Sequence, residues 1–450
     1  QDRIFFGQAG PTGLFQIDAN GGAIRPFAEL GDYGDLDYPS LLPGGEWVIF
    51  TALVGQYTEW SEAQIVAQSI SNGQRKILVE GGHYARYSPT GHLLYTRHGR
   101  LFAIGLDADR VEVVGEAVLM LDSVSAEDQG GGTAFWAVAA EAGTLAFSPG
   151  SLQDRRLAIS DTEGGLEFLE SSRHPFSNPR VSPDGSRLVV QTDTDGRSEI
   201  WTFDLSGGAD VRRLPQEGNN RAPVWTPDGR AITFASDRDG AWGLYSQPAD
   251  GSGAAEPLIM AEDGSQYWPN SWSPDGRFLV FTNARAASGT LGIFDRGSGD
   301  ASQLFEDASG DWVSLAEFSP DGEWVAYQRQ NGALYSTSAV YVQAFPPDGV
   351  EQRVVEPFSE GAVWLRDSGA LVYRTIDGTL SRIDVLRGGA VTSGNAQPLP
   401  GRLIPTSNNY RNYDLLPDGR ILAVTEETRR AQINIVLNWF EELKERVPLP

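Results

Sequence analysis

The sequence predicts an all-β protein, a β-propeller built of four-stranded antiparallel blades. Three observations predict it: a short phrase that recurs along the chain, the strand-like composition of the runs beside it, and the even spacing of its copies. In its fullest form the phrase reads Trp225-Thr226-Pro227-Asp228-Gly229, followed by Ala231-Ile232-Thr233-Phe234. It returns as Ser182-Pro183-Asp184-Gly185, Ser273-Pro274-Asp275-Gly276, Ser319-Pro320-Asp321-Gly322 and Pro417-Asp418-Gly419. Altered copies lie at Pro43-Gly44-Gly45, Pro89-Thr90-Gly91, Glu141-Ala142-Gly143 and Asp367-Ser368-Gly369.

The chemistry of the phrase is that of a hairpin. Proline pre-sets φ, aspartate bonds back to the local backbone, and glycine takes the φ > 0 position that returns the chain. The flanking runs, such as Phe278-Leu279-Val280-Phe281 and Trp324-Val325-Ala326-Tyr327, have strand composition. The turn glycines, read from Gly45 to Gly419, are separated by about 42 to 52 residues, the period of propeller blades. One hairpin phrase per such period implies about four strands per unit, and a unit that small buries its faces only by stacking.

Taken in order, residues 1–30 hold three strand candidates, Ile4-Phe5-Phe6, Leu14 to Ile17 and Ile24 to Phe27, read as a blade lacking its first strand. Complete units follow at 38–79 and 84–121. A Ser-, Asp- and Gly-rich loop spans 122–133, and a third unit runs from Thr133 to Glu170. Five sharper units occupy 179–215, 221–260, 268–305, 314–356 and 361–400. The tail offers Tyr413 to Leu416, Ile421 to Val424 and Ile433 to Leu437 as three strands of a last blade. Residues 438–450 close the chain with a short amphipathic helix in which Phe440, Leu443 and Val447 share a face. Eight complete repeats with partial blades at both ends make about nine or ten blades, or two smaller rings, with possible divisions near 122–133 or 171–178.

The formal net charge is −25 and the pI is about 4.5. A phosphate-tracking surface needs Lys and Arg, so a nucleic-acid partner is excluded on charge. The same acidity keeps exported proteins soluble and apart. There is no Cys, hence no disulfide, thiolate metal site or cysteine nucleophile. No apolar stretch reaches the length of a membrane span.

From Pro179 onward the phrases are specific enough to carry a resemblance. Ile200-Trp201-Thr202-Phe203-Asp204-Leu205, Pro223-Val224-Trp225-Thr226-Pro227-Asp228-Gly229, Tyr341-Val342-Gln343-Ala344-Phe345-Pro346 and Asn412-Tyr413-Asp414 are among the matching stretches. The tail Ile433 to Lys444 is another, and Gly91 to Tyr95 and Ala146 to Gly150 extend the match into the first third. On these residues the chain resembles the TolB-like propeller region that follows the kinase domain in many bacterial membrane-anchored serine/threonine kinases. The resemblance implies a non-catalytic propeller outside the cytoplasm that senses or binds something. The kinase itself is missing: there is no Gly-rich phosphate loop after a strand, no H-R-D and no D-F-G. The chain is thus expected to be either a fragment of such a kinase or a free-standing relative.

Candidate chemistry is sparse. Four histidines, His83, His92, His98 and His174, occupy turns or strand ends, and there is no G-x-S-x-G elbow for an α/β-hydrolase triad. Acidic turns are the better metal candidates. Asp193-Thr194-Asp195-Gly196 with Glu199 gathers carboxylates in one hairpin, and Asp237-Arg238-Asp239-Gly240 repeats the pattern. Calcium takes oxygen ligands on loops of this kind, with Asp193, Asp195 and Glu199 as the candidate ligands. The alternative is a β-turn whose Asp side chains cap backbone amides. Trp225, Trp272 and Trp364 precede the turns and are expected in the core between blades. Trp60, Trp136, Trp242, Trp268 and Trp312 lie in or near loops, where a cluster would stack on sugars or grip a peptide.

The expected function is therefore a non-enzymatic, extracytoplasmic scaffold that binds a protein, peptide or glycan ligand, with no cofactor unless calcium. Two readings stand beside it. One is a structural subunit that polymerises into a filament or surface layer through unpaired terminal strands. The other is a metal-dependent lyase or hydrolase acting in the channel, which the scarcity of His opposes.

Overall fold

The computed structural model describes residues 3–8, 12–54, 60–126, 132–150, 155–160, 163–169, 174–194, 197–205, 211–214, 217–261, 265–285, 288–304, 311–331, 337–355, 359–375, 377–387, 391–402, 411–426 and 432–449. Its turns explain why a hydroxyl residue precedes Pro-Asp-Gly at Ser182, Thr226, Ser273 and Ser319. Ser182 Oγ donates to Asp184 Oδ1 at 2.5 Å, and that carboxylate accepts the Ser186 N–H at 3.0 Å. Ser182 Oγ in turn accepts the Arg187 N–H at 2.9 Å, and Gly185 takes φ +76°. Thr226 and Asp228 repeat the arrangement, as do Ser319 and Asp321. Each phrase is thus a local network of side-chain caps that closes one hairpin. One copy departs from the sequence reading. At Asp367-Ser368-Gly369 the positive φ, 55°, falls on Ser368 rather than on Gly369.

The chain divides into two compact units, residues 1–153 with 428–450 and residues 154–427. In the smaller unit, blade 1 is β1 (Arg3–Phe6), β2 (Leu14–Asp18) and β3 (Arg25–Ala28). Blade 2 is β4 (Tyr33–Leu41), β5 (Trp47–Val54), β6 (Gln64–Ser69) and β7 (Arg75–Glu80). Blade 3 is β8 (His83–Ser88), β9 (His92–Arg97), β10 (Arg100–Asp107) and β11 (Glu112–Leu121), and blade 4 opens with β12 (Trp136–Ala139) and β13 (Thr144–Phe147).

The larger unit then begins with β14 (Arg155–Ser160) and β15 (Leu166–Phe168), the outer half of blade 5. Blade 6 is β16 (Phe176–Val181), β17 (Arg187–Thr194), β18 (Arg197–Asp204) and β19 (Val211–Arg213). Blade 7 is β20 (Asn220–Trp225), β21 (Ala231–Ser236), β22 (Gly243–Pro248) and β23 (Glu256–Met260). Blade 8 is β24 (Gln266–Trp272), β25 (Phe278–Arg285), β26 (Ser288–Asp295) and β27 (Asp300–Gln303). Blade 9 is β28 (Trp312–Phe318), β29 (Trp324–Gln330), β30 (Ala339–Ala344) and β31 (Glu351–Arg353). Blade 10 is β32 (Ser359–Trp364), β33 (Ala370–Thr375) and β34 (Thr379–Arg387), with β35 (Val391–Ser393) and β36 (Gln397–Arg402) both paired to β34. The inner half of blade 5 comes last, as β37 (Tyr413–Leu415) and β38 (Ile421–Glu426). The chain returns to blade 4 as β39 (Asn434–Val436) and ends in α1 (Trp439–Arg446).

Two blades are therefore assembled differently from the sequence reading. Residues 133–170 do not form one sheet: β12 and β13 pair with β39, while β14 pairs with β38. The tail likewise does not form a single last blade, because β37 and β38 complete blade 5 and β39 completes blade 4. Both pairings join strands more than 250 residues apart, which a local period cannot reveal. They also bear on assembly through terminal strands, since the tail segment finds its partners inside the chain.

Apolar packing closes the larger unit. One buried cluster lies at each of its six junctions, from blades 5 and 6 (Leu157, Phe176, Leu188, Leu422) round to blades 10 and 5 (Val363, Val372, Tyr413, Ala423). Tryptophan N–H groups pin the junctions. Trp225 Nε1 donates to the Arg180 carbonyl at 2.9 Å, and Trp364 Nε1 to the Glu317 carbonyl at 3.2 Å. Trp272 Nε1 reaches Thr233 Oγ1 at 3.0 Å. Each indole thus bonds the preceding blade, as expected of core tryptophans. In the smaller unit three clusters join four blades, and α1 completes the last with Trp439, Leu443 and Val447 buried. Trp439 rather than Phe440 anchors the helix beside Leu443; Phe440 rests against Gly143.

Candidate ligand site on the axis of the larger unit

The first strand of each blade lines the axis, since successive first strands are neighbours around the ring. Most of these strands carry a β-bulge, seen as a register shift at Ser177/Arg180, Arg221/Val224, Pro269/Ser271, Ser314/Glu317 and Glu360/Val363. Positive φ values at Asn178, Ala222 and Leu315 mark the extra residue in three of them. A bulge turns the strand so that the residues on either side of it address the axis together. The position just before the apolar residue that opens each turn phrase is Arg180, Val224, Ser271, Glu317, Val363 or Asp414. Several of these reach the next blade. Asp414 Oδ2 accepts the Val181 N–H at 2.7 Å, Ser271 Oγ that of Phe318 at 3.3 Å, and Glu317 Oε1 that of Trp364 at 3.4 Å.

The charged members converge. Arg411 of the closing blade forms ion pairs with Glu317 of blade 9 and, at 3.3 Å, with Asp414. Arg374 pairs with Glu360. These side chains are deeply covered, with Arg411 8 % exposed and Arg374 7 %. Burial pushes the Glu317 carboxyl above its usual range, against the pull of Arg411. Arg180 is different. Its Nη1 donates to the Pro179 and Arg411 carbonyls at 2.8 and 3.4 Å, and among the described residues no carboxylate stands within ion-pair distance of it. Burial first, and the neighbouring Arg411 second, push the Arg180 guanidinium down to about 9. Buried polar atoms without a protein partner remain at Arg180 Nε, Arg411 Nε, Arg374 Nη1 and both amide atoms of Asn412. Such atoms are costly unless something else satisfies them.

The sequence-derived metal residues meet different fates. Asp193 accepts the Ser177 and Ser198 hydroxyls and the Gln191 amide. Glu199 pairs with Arg213 at 3.0 Å and takes the Trp201 N–H. Asp193 faces Ser198 across the hairpin and Glu199 faces Thr192, so the two carboxylates project from opposite sides of the sheet. Asp195 lies outside the described residues. At the second acidic turn Asp237 accepts from Asn219 and Asp239 from Tyr245, the capping role. Among the described residues no three His, Asp or Glu side chains gather as a metal site.

The loop tryptophans form two sets. In the smaller unit Trp60, Tyr38, Tyr84 and Trp136 make a chain of edge contacts at 6.0, 4.9 and 5.6 Å, with Arg86 over Tyr84 at 4.5 Å. Trp60 and Trp136 are buried, so they pack rather than present a stacking platform. A small cavity of about 180 Å³ lies beside them, lined by Tyr84, Arg86, Tyr87, Pro89 and Trp136. In the larger unit Trp268 meets Trp312 at 6.1 Å, and Arg221 lies over Trp242 at 5.3 Å. The histidines are structural where their contacts are seen: buried His92 joins Thr90 to the Val447 carbonyl at 2.9 and 2.7 Å. The axial charges escaped the sequence reading, although a signal was there: aligning the copies puts charges at Arg180, Glu317 and Asp414 in a column that elsewhere holds Val224, Ser271 and Val363.

A closed ring of six four-stranded blades with first strands on the axis defines a β-propeller. The particular likeness is to TolB. Residues 142–347 match the TolB beta propeller domain family. The Tol-Pal system protein TolB of Francisella tularensis is 29 % identical over 230 residues, covering 40 % of this chain and 52 % of that one. An uncharacterized protein of Agrobacterium fabrum is 29 % identical over 175 residues, covering 37 % and 59 %. The chain thus spans about half the length of the curated relatives it matches. The solved structure of TolB from Acinetobacter baumannii superposes with a TM-score of 0.43 at 18 % identity, covering 78 % of this chain and 80 % of that one. Among the described residues no helix is long and apolar enough to cross a membrane.

Proposed function

We propose that the chain is a non-catalytic, extracytoplasmic propeller that binds a protein or peptide segment on the axis of the larger unit. The observation that carries this reading is the convergent charged set of buried Arg411 and Asp414 with half-buried Arg180 and Glu317, contributed by blades 5, 6 and 9. A peptide brings charges and backbone groups able to meet it; a neutral glycan does not. Half-buried Arg221, Trp242 and Trp268 on blades 7 and 8 add aromatic and cationic surface suited to side chains. The likeness to a protein named for the Tol-Pal system supports a protein partner and a place outside the cytoplasm. The resemblance to kinase-borne propellers supports a sensing role. The non-catalytic reading rests on the axial residue types: this set contains no His, and its carboxylates are engaged by arginines and backbone amides.

The test is panning of a random peptide library on the immobilised full chain, with affinities of the enriched peptides read by tryptophan fluorescence. Replacing Arg221 by Ala, away from the Arg411–Glu317 pair, is expected to weaken binding by tenfold or more. Failure to enrich any peptide, or equal affinity for the variant, would count against the reading.

A further inference from the structure

Among the charged side chains on the axis, Arg180 is set apart by having no carboxylate within ion-pair distance among the described residues. Arg411 has Glu317 and Asp414, and Arg374 has Glu360. Arg180 has only two backbone carbonyls, and its Nε is buried without a partner. Asp414 and Glu317 act on the Arg180 charge only from beyond ion-pair distance, and a covered guanidinium held on carbonyl oxygens without a carboxylate of its own leaves donor capacity unmet. The local geometry also concentrates donors. Arg180 Nη1 lies 3.4 Å from the Arg411 carbonyl, so the two arginines stand side by side, and the Arg411 Nε is likewise unpartnered. Asn412, the next residue along, is 4 % exposed, and neither amide atom has a hydrogen-bond partner among the described residues. The nearby acids, Glu317 and Asp414, are engaged by Arg411 and by the Trp364 and Val181 amides, so they are not free to turn to Arg180.

We propose that Arg180 is the anchor for a carboxylate on the ligand, with Arg411 Nε and the Asn412 amide as accessory donors. This rests on the axial binding reading above and narrows it to a chemical class. A carboxylate fits because a guanidinium offers parallel N–H groups that match its two oxygens. The carboxylate comes either from a peptide C-terminus or from a small organic acid, and both share this chemistry.

The test is thermal unfolding of the full chain in sodium acetate against sodium chloride of equal ionic strength, and in Gly-Gly-Gly against its C-terminal amide. A carboxylate that binds only the folded chain is expected to raise Tm by about 2–4 °C over chloride at saturating millimolar levels. Arg180→Met is expected to lose that response. In chloride it is expected to melt at or above the wild type, because a half-buried charge without a direct carboxylate partner has gone. Arg180→Lys keeps the charge without the fork and is expected to respond weakly. Arg230→Met, an exposed arginine, serves as the control and is expected to respond like the wild type. A response to Gly-Gly-Gly but not to its amide points to a peptide C-terminus; a response to acetate alone points to a small acid. Equal responses in wild type and Arg180→Met overturn the proposal, as does the absence of any response to carboxylate. So does an Arg180→Met chain that melts far below the wild type or fails to fold, which would make Arg180 a structural tie. Panned peptides that bind equally well as acids and as amides would leave peptide binding standing while removing the carboxylate anchor.

Discussion

At Gly185 two demands coincide. The turn needs φ +76°, and a Cβ there would meet Pro417 Cγ, the turn proline of the preceding blade, at 2.4 Å. The same contact recurs between Gly229 and Pro183 and between Gly322 and Pro274. Gly240 has a similar φ, +85°, with open space around it. Gly185→Ala is therefore expected to cost about 1–2 kcal/mol for the left-handed backbone plus about 1–3 kcal/mol for overlap with Pro417, whereas Gly240→Ala carries only the first. Urea unfolding of the two variants measures the difference. The aspartate beside Gly185 gives a pH signature. The Ser182 hydroxyl first, and the Ser186 N–H second, hold the Asp184 carboxyl down to about 2 against an ordinary 3.8. A folded-state pKa below the unfolded one stabilises above the unfolded value, and the gain disappears as pH falls through the folded value. Ser182→Ala is thus expected to be less stable than wild type at pH 6, with the gap narrowing between pH 4 and pH 2. A gap constant across that range would show that the Asp184 carboxylate does not contribute.

Strands and turns were legible because their signals are local: alternation, β-branched and aromatic content, and a turn phrase whose hydroxyl, Asp and Gly each have a role within six residues. The same locality explains the slips. Ser368 takes the positive φ expected at Gly369 because the turn has its Asp at the usual place and the residue after it must adopt that conformation whatever its type. In α1, helical periodicity marks a face but does not say which residues anchor it. Trp439 is 1 % exposed and packs with Leu145, Leu443 and Val447, while Arg446 reaches the Leu119 and Met120 carbonyls. Trp439→Ala is expected to cost about 3–5 kcal/mol. Hydrogen exchange locates the loss: amides of β13 and β39 lose protection, and those of β17, in the other unit, keep theirs. Uniform loss in both strand sets would mean that the units do not unfold separately.

At the scale of the whole chain the decisive contacts are the least local. The period left the count at about nine or ten blades or two smaller rings, and the assignment of strands to blades 4 and 5 was hidden, because Arg155–Ser160 pairs with Ile421–Glu426 and Thr144–Phe147 with Asn434–Val436. The axial site was hidden for the same reason. Arg180, Glu317 and Arg411 are far apart in sequence, and only closure of the ring brings them together. Closure uses strands that both lie within residues 154–427, which carry all six junction clusters. A chain of residues 154–427 alone is therefore expected to fold, elute as a compact species and melt cooperatively, with the carboxylate response retained. A chain of residues 154–410 lacks β37, β38, Arg411 and Asp414. It exposes the apolar faces of blades 6 and 10 and leaves Glu317 without its arginine, a loss of about 3–5 kcal/mol from that pair alone. It is expected to aggregate or to lose its cooperative transition, as read by size-exclusion chromatography and circular dichroism melts. If the shorter chain melted as cooperatively as the longer one, closure through blade 5 would not be what holds the ring.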